Sequence, residues 1–257
     1  AEGLAAGKGV LIVKSKKEAR EAVNKIMEDR IFGDAGDRIV VEDFLEGKEV
    51  SMIALTDGEK VLPLVPSQDH KPVFDGDEGP NTGGMGAYSP TPFVSEEMEE
   101  EIYDLILKPT VKALKNEGIK YKGILYAGLI ITDMGVKVLE FNARLGDPEA
   151  QVILPRLQND LIDLMEMVID EDIDNIKLEW DERAAVCVVL ASGGYPIAYD
   201  TGYQIEGLEK IKHYDNLMVF HSGTKKTNGH FVTDGGRVLG MTVLRHNLED
   251  AINEVYD

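Results

Sequence analysis

KVLEFNARLGDPEA, residues 137–150, carries the densest run of chemistry in this 257-residue chain. In a β-strand alternate side chains share a face. Val138, Glu140, Asn142 and, if the extended geometry persists, Arg144 then line one side, while Leu139 and Phe141 turn to a core. A carboxylate and an amide oxygen two residues apart suit Mg²⁺, which keeps several waters and shares substrate phosphates. An arginine just beyond suits an anion held by a planar fork. Taken alone, E-x-N reads first as a solvated edge strand, and the rest of the chain has to change that balance.

The composition sets limits. At 257 residues the chain can bury a sizeable core, in one large or two modest domains. A hydrophobic content of 43% and a charged content of 29% are ordinary for a globular protein. No apolar run approaches the roughly 20 residues needed to span a bilayer, and no signal-peptide pattern opens the chain. The single cysteine, Cys187, lies in AAVCVVLA and reads as a buried structural thiol. These features fit a cytoplasmic protein with no membrane partner. The formal net charge of −20 disfavours binding to nucleic acid, which needs clustered Lys and Arg. It leaves room for a local basic pocket. The acidic runs at 96–104 and 170–182 read as solvated faces.

Along the chain, residues 1–9 read as a glycine-rich turn followed by a strand at 10–13, with no strand before it to pair with. Residues 16–29 place Ala19, Ala22, Val23, Ile26 and Met27 at helical spacing. Residues 38–45 and 49–57 read as two strands joined at Glu46-Gly47-Lys48, and 60–66 continues the sheet. Residues 67–92 read as a long polar loop, a length usually functional or disordered. A helix is predicted over 95–116, a hairpin over 123–142 about Met134-Gly135, and one helix over 149–169. A composition break falls near Glu179–Glu182. Beyond it come a buried strand at 184–192, short strands in MVFHSG, HFVTDGG and RVLGMTVLR, and a closing helix in LEDAINEVYD.

Three further stretches carry chemistry. GLAAGKGV at 3–10 sets Gly3, Gly7 and Gly9 around Lys8, so backbone N–H groups and a cation can approach phosphates. It lacks the Ser or Thr of a Walker A loop, and a strand follows instead of a helix. It fits a phosphate flap and a plain hairpin equally. In VVEDFLEGKEVS at 40–51, the segment Glu42, Phe44, Leu45 can read an adenine edge through its backbone, and Glu49 can accept from ribose hydroxyls; a charged hairpin explains it more simply. PSQDHKPVFDGDEGPNTGGMGAYSP at 66–90 sets Asp69, His70 and Lys71 side by side. Its three glycines within 83–86 allow close backbone approach to a ligand. His70 reads as an orienting or surface residue sooner than as a base.

GLAAGKGV, SQDHK, NTGGMGAYSP and LEFNARLGDPEAQ, in this order, resemble the ATP-grasp fold, and within it the phosphoribosylamine–glycine ligases (glycinamide ribonucleotide synthetases) of purine biosynthesis. The resemblance runs from Gly3 to at least Arg245. It implies an α+β chain: a partial ATP-grasp domain over 1–180, N-terminally truncated, followed by a small mixed β/α C-terminal domain over 181–257. It implies ATP and Mg²⁺ or Mn²⁺ as cofactors, with glycine and 5-phosphoribosylamine as substrates joined through glycyl phosphate. Glu140 and Asn142 match the metal-binding pair. Gly7, Lys8 and Gly9 match the phosphate loop, Glu42, Phe44 and Leu45 the adenine side, and Glu49 the ribose contact. Asp69, Lys71, Arg144 and Asp147 are candidate contacts to substrate and phosphoryl group. Asp69 would face an ammonium and Arg144 an anionic oxygen.

The resemblance also implies parts outside this sequence: a lysine directly before Ala1, an N-terminal domain of the same polypeptide, and some residues past Asp257. On that expectation the piece alone is weak or inactive. Two other readings stay open, another ATP-grasp carboxylate ligase and a nucleotide-binding module without turnover.

Overall fold

The computed structural model describes residues 1–2, 9–211 and 214–257. Helix α1 (Lys16–Val23) starts at Ser15, whose hydroxyl accepts from the Glu18 amide, and runs on as a π-helical turn, Asn24–Glu28. The strands expected at 10–13 and 38–45 are absent: both segments are irregular. A strand's N–H and C=O groups need a neighbour, and no described residue pairs with either segment in a sheet. Val40, Val41 and Phe44 are accordingly exposed. The expected hairpin at Gly47 does not form. Gly47 instead lies where a Cβ would collide with the Ile131 carbonyl.

The first sheet is antiparallel. Strand β1 (Lys48–Thr56) pairs with β2 (Val61–Pro63). The polar stretch at 67–92 is not a loop but a set of short strands: β3 (Gln68–Asp69), β4 (Pro72–Phe74), β5 (Glu78–Asn81) and β6 (Gly86–Ser89). Helix α2 (Glu96–Ile102), capped by Ser95, passes through a π-helical turn at Tyr103–Leu107 into α3 (Lys108–Asn116), as the sequence led one to expect. Strands β7 (Gly123–Thr132) and β8 (Gly135–Asn142) form the expected hairpin, and the sheet order is β2-β1-β7-β8.

The helix expected over 149–169 is broken. Helix α4 (Ala150–Ile153) gives way to a 3-10 turn at Leu154–Arg156, and α5 (Leu161–Asp170) restarts at Asp160, whose carboxylate accepts from the Ile162 amide. Pro155 lacks an N–H and disfavours helical geometry just before it, so helical periodicity alone overstates the run.

After the composition break, β9 (Ala184–Ala191), β10 (Leu217–His221), β11 (Thr224–Thr227), β12 (His230–Thr233), β13 (Arg237–Arg245) and α6 (Leu248–Val255) follow. The hairpin β11–β12 turns on Asn228-Gly229, both at positive φ, the geometry that suits a two-residue turn. The second sheet has the order β10-β13-β9-β6-β3, so strands from before the break extend the sheet formed after it. Cys187 pairs with Ala87 in this sheet, and burial pushes its thiol up to about 11, as befits a packing residue.

Strands β1 and β7 are buried on both faces. One face packs Val50, Met52, Ala54, Leu125, Ala127 and Leu129 against Ile102, Leu107 and Val111 of the α2–α3 helical run. The other packs Ile53, Leu55 and Tyr126 against Val152, Ile153, Leu164 and Val168 and against Ala185, Cys187 and Leu244 of the second sheet. Leu129 is fully buried. Leu129→Ala is expected to cost about 2–5 kcal/mol, the range for deleting a large core side chain. Equilibrium unfolding in denaturant checks this; a midpoint unchanged from the unsubstituted protein would count against this packing.

Candidate functional site

The candidate site lies on the second of those faces, where cross-strand partners line up. Ser51 sits opposite Gly128, and Gly128 opposite Glu140; Ile53 sits opposite Tyr126, and Tyr126 opposite Asn142. Partners across a ladder point to the same side. Glu49, Ser51, Tyr126, Glu140 and Asn142 therefore share one face of three adjacent strands.

The expectation for the β8 face needs one correction. The register slips between Gly128 and Leu129, a bulge that places Val138 opposite Leu129 and turns it from Glu140's face to the helix side. Leu139 and Phe141, expected in a core, are 41% and 45% exposed, because β8 is an edge strand with no described layer over that side. Glu140 and Asn142 keep their common face. Asn142 Nδ2 donates to Glu140 Oε1 at 3.0 Å. Gly128 makes room for this pair: a Cβ there would lie 3.0 Å from Glu140 Cγ. A glycine inside a strand pattern marks such a close approach, and that signal was available in YAGLII.

Two oxygen donors, one carboxylate and one amide, fit a hard divalent cation that takes its remaining ligands from water and phosphate. Among the described residues no group of three or more His, Cys, Asp or Glu is arranged to hold a metal ion. A site here therefore suits an ion shared with a nucleotide better than an all-protein cage.

Beside this pair lies a charged cluster. The Lys71 ammonium donates to Glu49 Oε2 at 2.7 Å and to Asp69 Oδ1 at 2.9 Å. Burial works to lower the Lys71 pKa, but Asp69 and Glu49 prevail and hold it above its ordinary value. The resemblance assigned Glu49 to the ribose and Asp69 and Lys71 to the substrate and phosphoryl group; the structure ties all three together. The Asp69 side chain is only 7% exposed.

Beneath it is a network not anticipated from the sequence. Glu149 Oε1 accepts from Ser51 Oγ at 2.9 Å and from the Tyr126 hydroxyl at 2.8 Å, and the two hydroxyls are 2.9 Å apart. Three oxygens in a closed triangle make three contacts, but two hydroxyls supply only two protons. Burial, then the nearby charge of Asp69, raises the Glu149 pKa. Burial and Glu149 likewise raise that of Tyr126.

The glycines of the 82–86 turn have a different role from the one expected. Gly84, at φ +108°, packs where a Cβ would collide with Pro148 Cδ; one on Gly83 would lie 3.1 Å from Arg237 Cζ; and one on Gly86 would lie 2.6 Å from the Cys187 carbonyl oxygen. The close approaches are to the protein itself. Asp147 is also engaged internally: Oδ1 accepts from Gln151 Nε2 and Oδ2 from Arg237, each at 2.7 Å. Arg144 is exposed, and among the described residues it donates only to the Leu145 carbonyl, at 2.9 Å. His70 lies exposed beside the Tyr88 ring, 5.9 Å between centroids.

The remaining candidates are not gathered here. Gly7 and Lys8 lie outside the described residues. The Gly9 carbonyl accepts from the Ala1 amino group at 2.9 Å. Glu42 and Phe44 are exposed and Leu45 is half-buried on the irregular segment before β1.

The fold that carries this face is of the ATP-grasp class. A family model described as the phosphoribosylglycinamide synthetase ATP-grasp (A) domain matches residues 1–150, and that of the same synthetase's C domain matches 185–257. The chain belongs to the phosphoribosylglycinamide synthetase family. It is 49% identical over 256 residues to the phosphoribosylamine–glycine ligase of Caldanaerobacter subterraneus subsp. tengcongensis, covering 100% of this chain and 61% of that protein. It is 51% identical over 255 residues to the trifunctional purine biosynthetic protein adenosine-3 of Gallus gallus, covering 99% of this chain and 25% of that one. The crystal structure of the phosphoribosylamine–glycine ligase of Thermotoga maritima superposes with a TM-score of 0.82 at 34% identity, over 99% of this chain and 62% of that one. The chain thus spans less than two thirds of the length of these relatives.

The Glu149 triangle has a pH signature. Its folded pKa is raised, so its contribution to stability is full below the unfolded value of 4.5 and falls as pH rises through the folded value. Glu149→Gln retains an acceptor for both hydroxyls and removes the titration. The melting temperature of the variant relative to the unsubstituted protein should therefore be higher at pH 8 than at pH 5. A difference that does not vary with pH would show that the fold does not raise the Glu149 pKa.

Proposed function

We propose that this chain supplies the nucleotide and substrate face of an ATP-dependent ligase that joins glycine to 5-phosphoribosylamine. The observation that carries the reading is the face shared by Glu49, Glu140 and Asn142, with Lys71 bonded to Glu49 and to Asp69 at its edge, in a chain of this family. The γ-phosphoryl of ATP passes to a carboxylate oxygen of glycine, and ADP leaves. The amine of phosphoribosylamine then attacks the acyl carbon, phosphate leaves, and the amine gives up a proton. No protein nucleophile is needed; positioning and charge compensation supply the rate.

Each side chain has a part. Glu140 and Asn142 would hold Mg²⁺ or Mn²⁺ together with the ATP phosphates. When bound, that ion neutralises charge on the transferring phosphoryl group. Gly7, Lys8 and Gly9 are assigned to the phosphates, Glu42, Phe44 and Leu45 to the adenine side, and Glu49 to the ribose. Asp69 offers a carboxylate to the glycine ammonium. Lys71, charged throughout the accessible range, keeps the surplus of carboxylates around it from repelling ATP. Arg144, free of ion pairs among the described residues, has its guanidinium open to an anionic oxygen. Such chemistry belongs in a cytoplasmic biosynthetic enzyme.

Full-length protein should release ADP only when glycine and phosphoribosylamine are both supplied. Release driven by bicarbonate would point to another ATP-grasp carboxylate ligase, and ATP binding without turnover to a binding module. Glu140→Gln should lower kcat by about 10²-fold, the scale for losing one charge-stabilising partner in a transition state, and should raise the Mg²⁺ concentration needed for half-maximal rate. Full activity with an unchanged Mg²⁺ requirement would remove Glu140 from the site.

A further inference from the structure

We infer that Arg237, contributed by the segment after the composition break, is a positioning residue for the substrate side of the site. The inference rests on the ligase reading above. Arg237 opens β13, and its guanidinium reaches both of the turns that carry candidate substrate contacts. Nη1 donates to the carbonyls of Gly83 at 2.7 Å, Gly84 at 3.3 Å and Asp147 at 2.8 Å, while Nη2 donates to Asp147 Oδ2 at 2.7 Å. The Arg237 side chain is 20% exposed, while its partner Asp147 is 46% exposed, so the hold comes from the number and directions of these bonds.

The two turns lead directly to the site. On one side, the Thr82 amide and hydroxyl both donate to the Lys71 carbonyl, at 2.8 and 2.7 Å, and the Met85 amide donates to the His70 carbonyl at 2.7 Å. Holding Gly83 and Gly84 therefore holds the backbone of the Asp69–Lys71 stretch. On the other side, Asp147 lies between Arg144 and the buried Glu149. No other described side chain hydrogen-bonds to both turns. A guanidinium, with donors fixed in a plane, can meet four acceptors from two directions; an ammonium cannot.

The Arg237 end is itself anchored. The Arg237 carbonyl accepts from the Gly223 amide at 2.9 Å, and the Gly236 carbonyl accepts from the Ser192 amide at 2.7 Å. Tyr195 packs where a Gly236 Cβ would fall, and its hydroxyl accepts from the Gly83 amide at 3.1 Å. The C-terminal segment thus presents a rigid fork to the site, with no side chain of its own needed in the chemistry.

The test compares Arg237→Gln and Arg237→Lys in the full-length protein, by steady-state kinetics and by hydrogen exchange at Thr82 and Met85. For Arg237→Gln, KM for glycine or phosphoribosylamine should rise about tenfold or more while KM for ATP stays within about twofold, the pattern of misplaced substrate contacts. Arg237→Lys should recover only part of the loss, and both amides should exchange faster. Unchanged kinetics, or a lower kcat with every KM intact as from a smaller folded fraction, overturns the proposal. Should Arg237→Gln not fold, Arg237→Lys keeps the charge and loses the planar fork. It must then show the same KM pattern at smaller size, and wild-type KM values overturn the proposal. If the unsubstituted protein releases no ADP with both substrates, the ligase reading fails, and exchange at Thr82 and Met85 still decides whether Arg237 holds the turn.

Discussion

Strand β7 is covered on both faces, and its nine-residue pairing with β1 leaves no room for an unsatisfied polar group between them. A buried polar atom without a partner costs about 1–3 kcal/mol. Ser51, Tyr126 and Glu149 answer that constraint with one closed triangle, and Asp69, Lys71 and Glu49 with a second, charged set above it. The site is therefore part of the core's polar bookkeeping and not a patch laid over it. The charged set lies partly exposed, and the Ser51–Tyr126–Glu149 set is buried beneath it.

The same logic explains how the two halves of the chain cooperate. Strands β3 and β6 join the sheet that β9, β10 and β13 complete. Arg156, buried and with its pKa lowered by burial, donates to Ser89 Oγ at 2.6 Å and to the Asp181 carbonyl at 3.3 Å, bridging the break at that point. The turns at 82–86 and 143–149 are pressed together by Gly84 on Pro148 and gripped by Arg237.

Much of this was legible in the chain. The apolar runs in 49–57 and 123–133 and the Met134-Gly135 turn before β8 each specify an element through local chemistry. So does the placement of Glu140 and Asn142 on one face, because a two-residue step survives a bulge that lies before it. The misread elements share a cause. Residues 38–45 have strand composition but no pairing partner among the described residues, and composition cannot supply one. Residues 149–169 have helical periodicity, but Pro155 and the Asp160 cap divide it.

Sequence by itself determined which residue types stand at which intervals, and hence the family, the strand and helix repertoire and the oxygen pair at 140 and 142. Those depend on neighbours within a few positions or on motifs held in fixed order. Tertiary structure alone decided that Glu49 meets Lys71, that Glu149 sits under Tyr126 and Ser51, and that Arg237 closes over turns 154 and 90 residues away. Contacts at such separations arise only when two sheets pack face to face, and nothing in the local spacing of Arg237 or Glu149 announces the partner that packing brings.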